Sequence, residues 1–310
     1  MPRPKETILD EIVNVKGKRA NLGRQLQTSK EANWLLAVYL NSFAKLDAGE
    51  PLTDVEKAVV DGFRQNGVSE AEVKEHGRLF TKMSAADKQK LFPGKFAQLT
   101  PKTKYEAADL KADLPKAEAN LLKQPNAADV DVKAVHDGTK SLKDYAIPQD
   151  VKERYGSTLV RAVVKNPQAQ RSTGQYTIKA TQFLCNDETG PDWWGSDEPY
   201  WIFGTVSGST NVTRKTQIFS DVDTGESRGF TGIDGFIWGQ GGTPADFPEG
   251  EIGTLISLWE HDSGDTEKVR AGVAAAFAAA SAILAATGVA AWISALVTGV
   301  ASVVAWLLSS

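Results

Sequence analysis

Residues 271–310 read AGVAAAFAAASAILAATGVAAWISALVTGVASVVAWLLSS, forty positions without one charged side chain. As helix this run would be about 60 Å long, twice the ~30 Å of a bilayer core. Thr287-Gly288 is the natural break, because glycine can end one helix and begin the return. The expectation is a hydrophobic helical hairpin, with legs near 268–286 and 289–308. Small residues recur four apart on the first leg, at Gly272, Ala276 and Ala280, and on the second, at Ala290, Ser294, Thr298 and Ser302. Such stripes let helix backbones approach closely in lipid, and hydroxyls can bond across the contact. Together with Gly288 they are the expected helix-packing residues. Trp292 and Trp306 lie near the ends of the second leg, where indole rings favour a membrane interface. The same run also fits a buried hairpin in a soluble core, or an oligomer contact.

The rest of the chain bounds the problem. At 310 residues it has room for two or three domains. A net charge of −4 gives no broad basic field for nucleic acid. One cysteine, Cys185, cannot make an intrachain disulfide, so folding in a reducing compartment is compatible with it. The first residues, MPRPKETILDEIVNVKGKR, contain no apolar run of signal-peptide type. The expectation is synthesis in soluble form and action at or in a membrane, with any export by a non-standard route.

Working back from the tail, residues 1–91 read as a helical bundle. Thr28 with Glu31, Thr53 with Glu56 and Ser69 with Glu72 are spaced as capping boxes, and Ser84 with Asp87 is a weaker version. Trp34, Leu35, Val38, Tyr39 and Phe43 form an apolar helix face. His76 and His136 have no metal-ligand partner at useful spacing and read as surface or capping residues. Residues 92–172 are rich in lysine, alanine, aspartate and proline and read as a helical or extended connector. Residues 173–266 turn to β character. Tyr176–Ala180, Trp201–Phe203, Thr216–Phe219, Gly235–Trp238 and Thr254–Trp259 are short strand candidates between Gly, Asp, Pro and Ser clusters. The expected fold class is therefore α+β and multidomain: a helical N-terminal bundle, an antiparallel β-sandwich and the hairpin at 267–310.

The β region carries the chemistry. CNDETGPDWWGSDEPYW (185–201) offers five acidic residues within twelve positions, and WEHDSGD (259–265) follows the last strand. Hard cations such as calcium take six to eight oxygen ligands, mostly carboxylates and carbonyls. Asp221, Asp223 and Glu226 form either a third acidic loop or only a hairpin turn. No nucleophile elbow, HExxH or Ser-His-Asp spacing occurs, so the chain reads as non-enzymatic.

The order β-strand, acidic loop, GSDEPYW, further strands, then LWEHDSGD resembles the calcium-dependent phospholipid-binding (C-two) domain over about ninety residues. That resemblance implies calcium as cofactor, with Asp187, Asp197, Glu260, Asp262 and Asp265 as ligands. It also implies Trp193 and Trp194 as apolar loop tips that enter lipid. The sequence departs from the pattern at Glu198, which separates Asp197 from Pro199, and at Glu260, where an aspartate is usual. The uncharged tail is similar in length and charge to the hydrophobic hairpin of pore-forming colicins. The combined expectation is a membrane-active, pore-forming toxin-like protein with a lipid membrane as partner and a homo-oligomer as its inserted form. The alternative is a membrane-anchored or assembly-bound interaction protein whose hairpin is permanent.

Overall fold

The computed structural model describes residues 5–17, 20–155, 158–163, 175–186, 198–207, 210–239, 243, 245–246, 251–261, 266–287, 300, 303–304 and 307. Over these residues the protein is mixed α/β, with ten α-helices, one five-stranded mixed sheet and three two-stranded ribbons.

The helical layer runs α1 (Lys5–Val13), α2 (Ala20–Thr28), α3 (Trp34–Ala48), α4 (Asp54–Gln65), α5 (Glu70–Lys82) and α6 (Ala85–Leu91). Reciprocal capping boxes open α4 at Thr53/Glu56 and α5 at Ser69/Glu72, and the Ser84 hydroxyl accepts from the Asp87 amide at α6. Thr28 does not open a helix; it ends α2, and a 3-10 turn at Lys30–Asn33 precedes α3. The buried Asn33 amide explains the shift. It donates to the carbonyls of Leu26 and Leu91 at 2.8 and 2.7 Å, tying the ends of α2 and α6 together before α3 can begin.

α3 is buried on every side from Trp34 to Lys45, as expected of a helix without a polar face. Gly77 of α5 makes one close approach possible, because a Cβ there would lie 2.4 Å from the Phe43 carbonyl carbon. His76 is buried beside it rather than exposed. Burial of this position is not evident from its spacing along α5 alone. His136 does stay exposed, in the last turn of α8 (Val132–His136).

The lysine- and proline-rich segment contributes more to the core than a connector would. α7 (Ala107–Leu121) buries Leu110, Leu114 and Leu121, and Pro115 lies within it on the exposed side. The ring costs the helix a backbone bond, but the three leucines hold α7 against the core. Next come β1 (Ala127–Asp131), α8, α9 (Gln149–Tyr155) and β2 (Leu159–Val163), with β1 and β2 paired in parallel.

The sheet has the order β1-β2-β11-β6-β7, where β6 is Pro199–Ser207, β7 is Thr210–Lys215 and β11 is Glu251–Glu260. Its other pairings are antiparallel, so the sheet is mixed rather than purely antiparallel. The ribbons are β3 (Gln175–Tyr176) with β10 (Ala245–Asp246), β4 (Ile178–Lys179) with β9 (Phe236–Trp238), and β5 (Gln182–Leu184) with β8 (Ser227–Gly229). Thr216–Phe219 is not a strand. The amides of Thr216 and Phe219 donate to the carbonyls of Trp201 and Pro199, which pins the segment to β6 without a ladder.

β6 is the middle of a layered arrangement, since alternate residues of a strand face opposite ways. Tyr200, Ile202 and Val206 enter the principal core. Phe203 joins Phe219, Val222, Phe230 and Ile237 in a second cluster on the other side. The principal core also contains α10 (Thr266–Thr287). Gly272 and Ser281 of this helix are buried, and Val273, Ala275, Ala276, Phe277, Ala279, Ala280 and Ile283 are sealed completely from solvent. On the second leg, Val300, Val303 and Val304 are helical and buried, and Leu307 packs on the same core. Gly288, Ala290, Ser294, Thr298, Ser302, Trp292 and Trp306 lie outside the described residues. Among the described residues no helix is both long and apolar enough to cross a membrane.

Candidate functional site

Three chain segments meet at one end of the sheet. Glu260 at the end of β11 stands opposite Pro199 at the start of β6, so the stretches beyond them leave the sheet together. The His261 amide donates to the Glu198 carbonyl at 3.1 Å, and His261 Nδ1 lies 3.0 Å from Glu198 Oε2. The third segment reaches the same end through Phe219, whose amide donates to the Pro199 carbonyl at 2.9 Å.

From Phe219 the chain turns through DVDTGE (221–226) into β8. Asp221 has φ +60° and Gly225 φ +85°, the left-handed conformations that tight turns require. Aspartate is among the few side chains that tolerate it. The Cys185 amide donates to the Glu226 carbonyl, and the Gly225 amide to the Cys185 carbonyl, at 2.9 and 2.8 Å. The acidic turn therefore sits beside the residue that leads into the 187–197 segment. The Asp223 amide and the Arg228 guanidinium both donate to the Glu226 carboxylate, which holds its pKa below the ordinary range. Arg228 also donates to the Asp221 carbonyl.

The electrostatic consequence follows from composition. Segments 185–198, 219–228 and 259–265 hold eleven carboxylates and one arginine, a net of −10, whereas the whole chain carries −4. Among the described side chains, Glu198, Asp221, Asp223 and Glu226 lie on these segments, with Arg228 and His261 beside them. Carboxylates brought close together repel one another and attract cations and basic groups.

No protein-family model, curated protein or solved structure matches this chain.

The site is therefore defined by its own geometry. Of the five expected calcium ligands, only Glu260 falls among the described residues, and only by its backbone; Asp187, Asp197, Asp262 and Asp265 lie outside them, as do Trp193 and Trp194. Among the described residues no three His, Cys, Asp or Glu side chains stand close enough together to hold a metal ion. The described groups thus do not assemble a calcium shell, and the calcium expectation rests on the sequence. Sequence reasoning did not find the Glu198–His261 pairing. The available signal was the E-P and W-E-H boundaries of two strands, which become opposite neighbours only once β6 and β11 are paired.

Charged groups elsewhere are committed to holding the fold. Lys45 and Glu56, both fully enclosed, pair at 2.7 Å. Glu56 also accepts from the amides of Thr53 and Tyr105. Arg161 of β2 bridges Glu118 of α7 and Asp129 of β1 at 2.6 and 2.8 Å, fastening α7 to the sheet.

Proposed function

We propose that this chain is a non-enzymatic interaction protein whose uncharged C-terminal run is a permanent part of its core and whose working surface is the acidic end of the sheet. One observation carries the reading: α10 lies between the helical layer and the sheet, fixed to both. Tyr39 Oη of α3 donates to the Ala276 carbonyl at 3.2 Å. Gly62 of α4 meets Ala279, and Gly204 of β6 meets the Phe277 ring so closely that a Cβ on either glycine would clash. Lys215 of β7 reaches Glu267 and Thr266 at 3.0 and 3.1 Å. Drawing α10 into lipid would break the contacts that join the two layers.

A second reading keeps one specific observation in its favour. The run from Ala271 to Ser310 has no charge at all, which a merely buried helix does not need. On that reading the chain is a pore-forming, membrane-active protein held in a sheltered state, and calcium at the acidic end assists lipid binding.

Dye release from phosphatidylcholine/phosphatidylserine vesicles, with and without calcium, separates the two. The expected result is no leakage from the intact chain under either condition. Ala285 supplies the control. It is exposed on α10, so Ala285→Asp leaves the folded chain intact, yet it adds a charge at the turn end of the expected hairpin, which insertion would have to carry across the hydrocarbon. Leakage by the parent chain that Ala285→Asp abolishes would overturn the permanent-core reading.

A further inference from the structure

The turn that ends α1 departs from the usual chemistry of helix ends. The Lys16 amide donates to the Glu11 carbonyl at 3.0 Å, and the Val15 amide to that of Ile12 at 3.4 Å. This pair of bonds closes a helix around one left-handed residue, a place usually taken by glycine and sometimes by asparagine. Here Val15 holds it, at φ +52°. Among the described residues Val15 and Asp221 are the two non-glycine residues with positive φ. Valine is the one branched at Cβ, and for such a side chain this backbone is a true outlier. Asn14 stands one position too early to take the place. Such strain persists only where the surroundings impose it.

Towards α2 the surroundings are firm. Ile12 and Val13 are buried, and the Gln27 side-chain amide donates to the Val13 carbonyl at 3.0 Å. Gly23 lets α2 approach, because a Cβ there would lie 2.2 Å from the Ile12 carbonyl oxygen. Towards α5 and α6 the fit is looser. Leu9 and Val13 share a cleft of about 240 Å³ with Leu79 and with Met83, the residue that ends α5, which is wide enough to admit water. Asp10 and Asp87 also border it, and their carboxylates repel one another. Lys16 and Lys90, at 2.5 and 3.2 Å from Asp10 and Asp87, offset part of that repulsion.

We propose that α1 is a releasable strap: it lifts off as one unit by relaxing the Val15 turn, while the rest of the helical layer stays folded, and so uncovers the apolar cleft at Leu79 and Met83. Lifting returns Val15 to negative φ, which offsets part of the contact given up by Ile12 and Val13. The closed state keeps the cleft covered by the chain's own first helix. The device belongs to the helical layer and does not depend on the acidic end of the sheet.

Native-state hydrogen exchange on the full chain, read by NMR at single amides, tests this. The hydrogen-bonded amides of α1 should exchange together, at least about a hundredfold faster than those of α3. Val15→Gly removes the left-handed penalty from the closed state and should slow exchange in α1 about tenfold. Val15→Asn should slow it too, by less, because asparagine tolerates this backbone without glycine's freedom in the open state. Asn14→Gly, which loosens the turn without relieving position 15, should not slow it. Exchange in α1 as slow as in α3 would overturn the proposal, because α1 would then leave only with global unfolding. Fast exchange in the first turn with slow exchange at Glu11–Val13 is fraying, and would overturn it as well. So would a rate that neither Val15 variant slows, or one that Asn14→Gly slows equally.

Discussion

Gly62 of α4 and Ala279 of α10 meet backbone to backbone: a Cβ built on Gly62 would fall 2.7 Å from both the Cα and the amide nitrogen of Ala279. This contact sets how closely the C-terminal helix nests into the helical layer. Two effects oppose each other in Gly62→Ala. Helix propensity favours alanine by about 1 kcal/mol, whereas overpacking costs about 1–3 kcal/mol. The clash is with main-chain atoms, which no side-chain rotation relieves, so overpacking wins. Gly62→Ala should lower the thermal midpoint by several degrees, and Gly62→Val by more, both readable by differential scanning calorimetry. A stabilised Gly62→Ala would show that α4 and α10 are not held at this distance.

Lys45 and Glu56 are the most deeply enclosed ion pair among the described residues, at 2% and 0% side-chain exposure. Removing one partner leaves the other charge buried and unmatched, which costs about 3–5 kcal/mol. Lys45→Met should therefore destabilise the chain far more than a surface change such as Lys133→Met, whose partner Asp137 is solvated. Urea unfolding followed by circular dichroism gives the comparison.

Alkaline stability should reflect two buried phenols. Burial pushes the pKa of Tyr39 far above its ordinary value of 10.0. Burial and the neighbouring Asp113 carboxylate push that of Tyr105 up as well. The folded state thus holds these protons more tightly than the unfolded chain. Their contribution is fully present below pH about 10, the unfolded value, and is lost as pH rises above it. The chain should lose stability steeply above pH 10, and Tyr39→Phe should flatten that slope while costing about 1 kcal/mol at neutral pH through loss of the bond to Ala276. Urea midpoints measured from pH 8 to 11 check both.

Pro115 interrupts the bonding of α7 from an exposed position. Proline inside a helix is about 3 kcal/mol less favourable than alanine, and part of that is already relaxed in the folded chain. Pro115→Ala should raise the urea midpoint, by about 1–2 kcal/mol of stability. An unchanged or lowered midpoint would mean the proline shapes α7 for its packing on the core through its own Leu110 and Leu114.

Much of the helical layer is legible in the sequence because its signals are local. Thr53/Glu56 and Ser69/Glu72 announce α4 and α5 by spacing alone, and the first uncharged leg is a helix close to its expected ends. Pairings between distant strands are not legible this way. β1 and β2 carry few large apolar residues and find their places only through the ladder to β11 and the Arg161 bridge. α7 hides three core leucines among lysine, alanine and a proline that reads as a breaker. Glu198 and His261 could be listed in order, but their meeting depends on the β6–β11 register, which sets Glu260 opposite Pro199.

The central claim is that α10 is a fixed part of the core, and hydrogen–deuterium exchange with mass spectrometry tests it most directly. Peptides covering 268–287 should exchange only at the rate of global unfolding, and phosphatidylcholine/phosphatidylserine vesicles should leave that rate unchanged. Faster exchange in this helix than in α3, or a change in its protection when vesicles are added, would contradict the account.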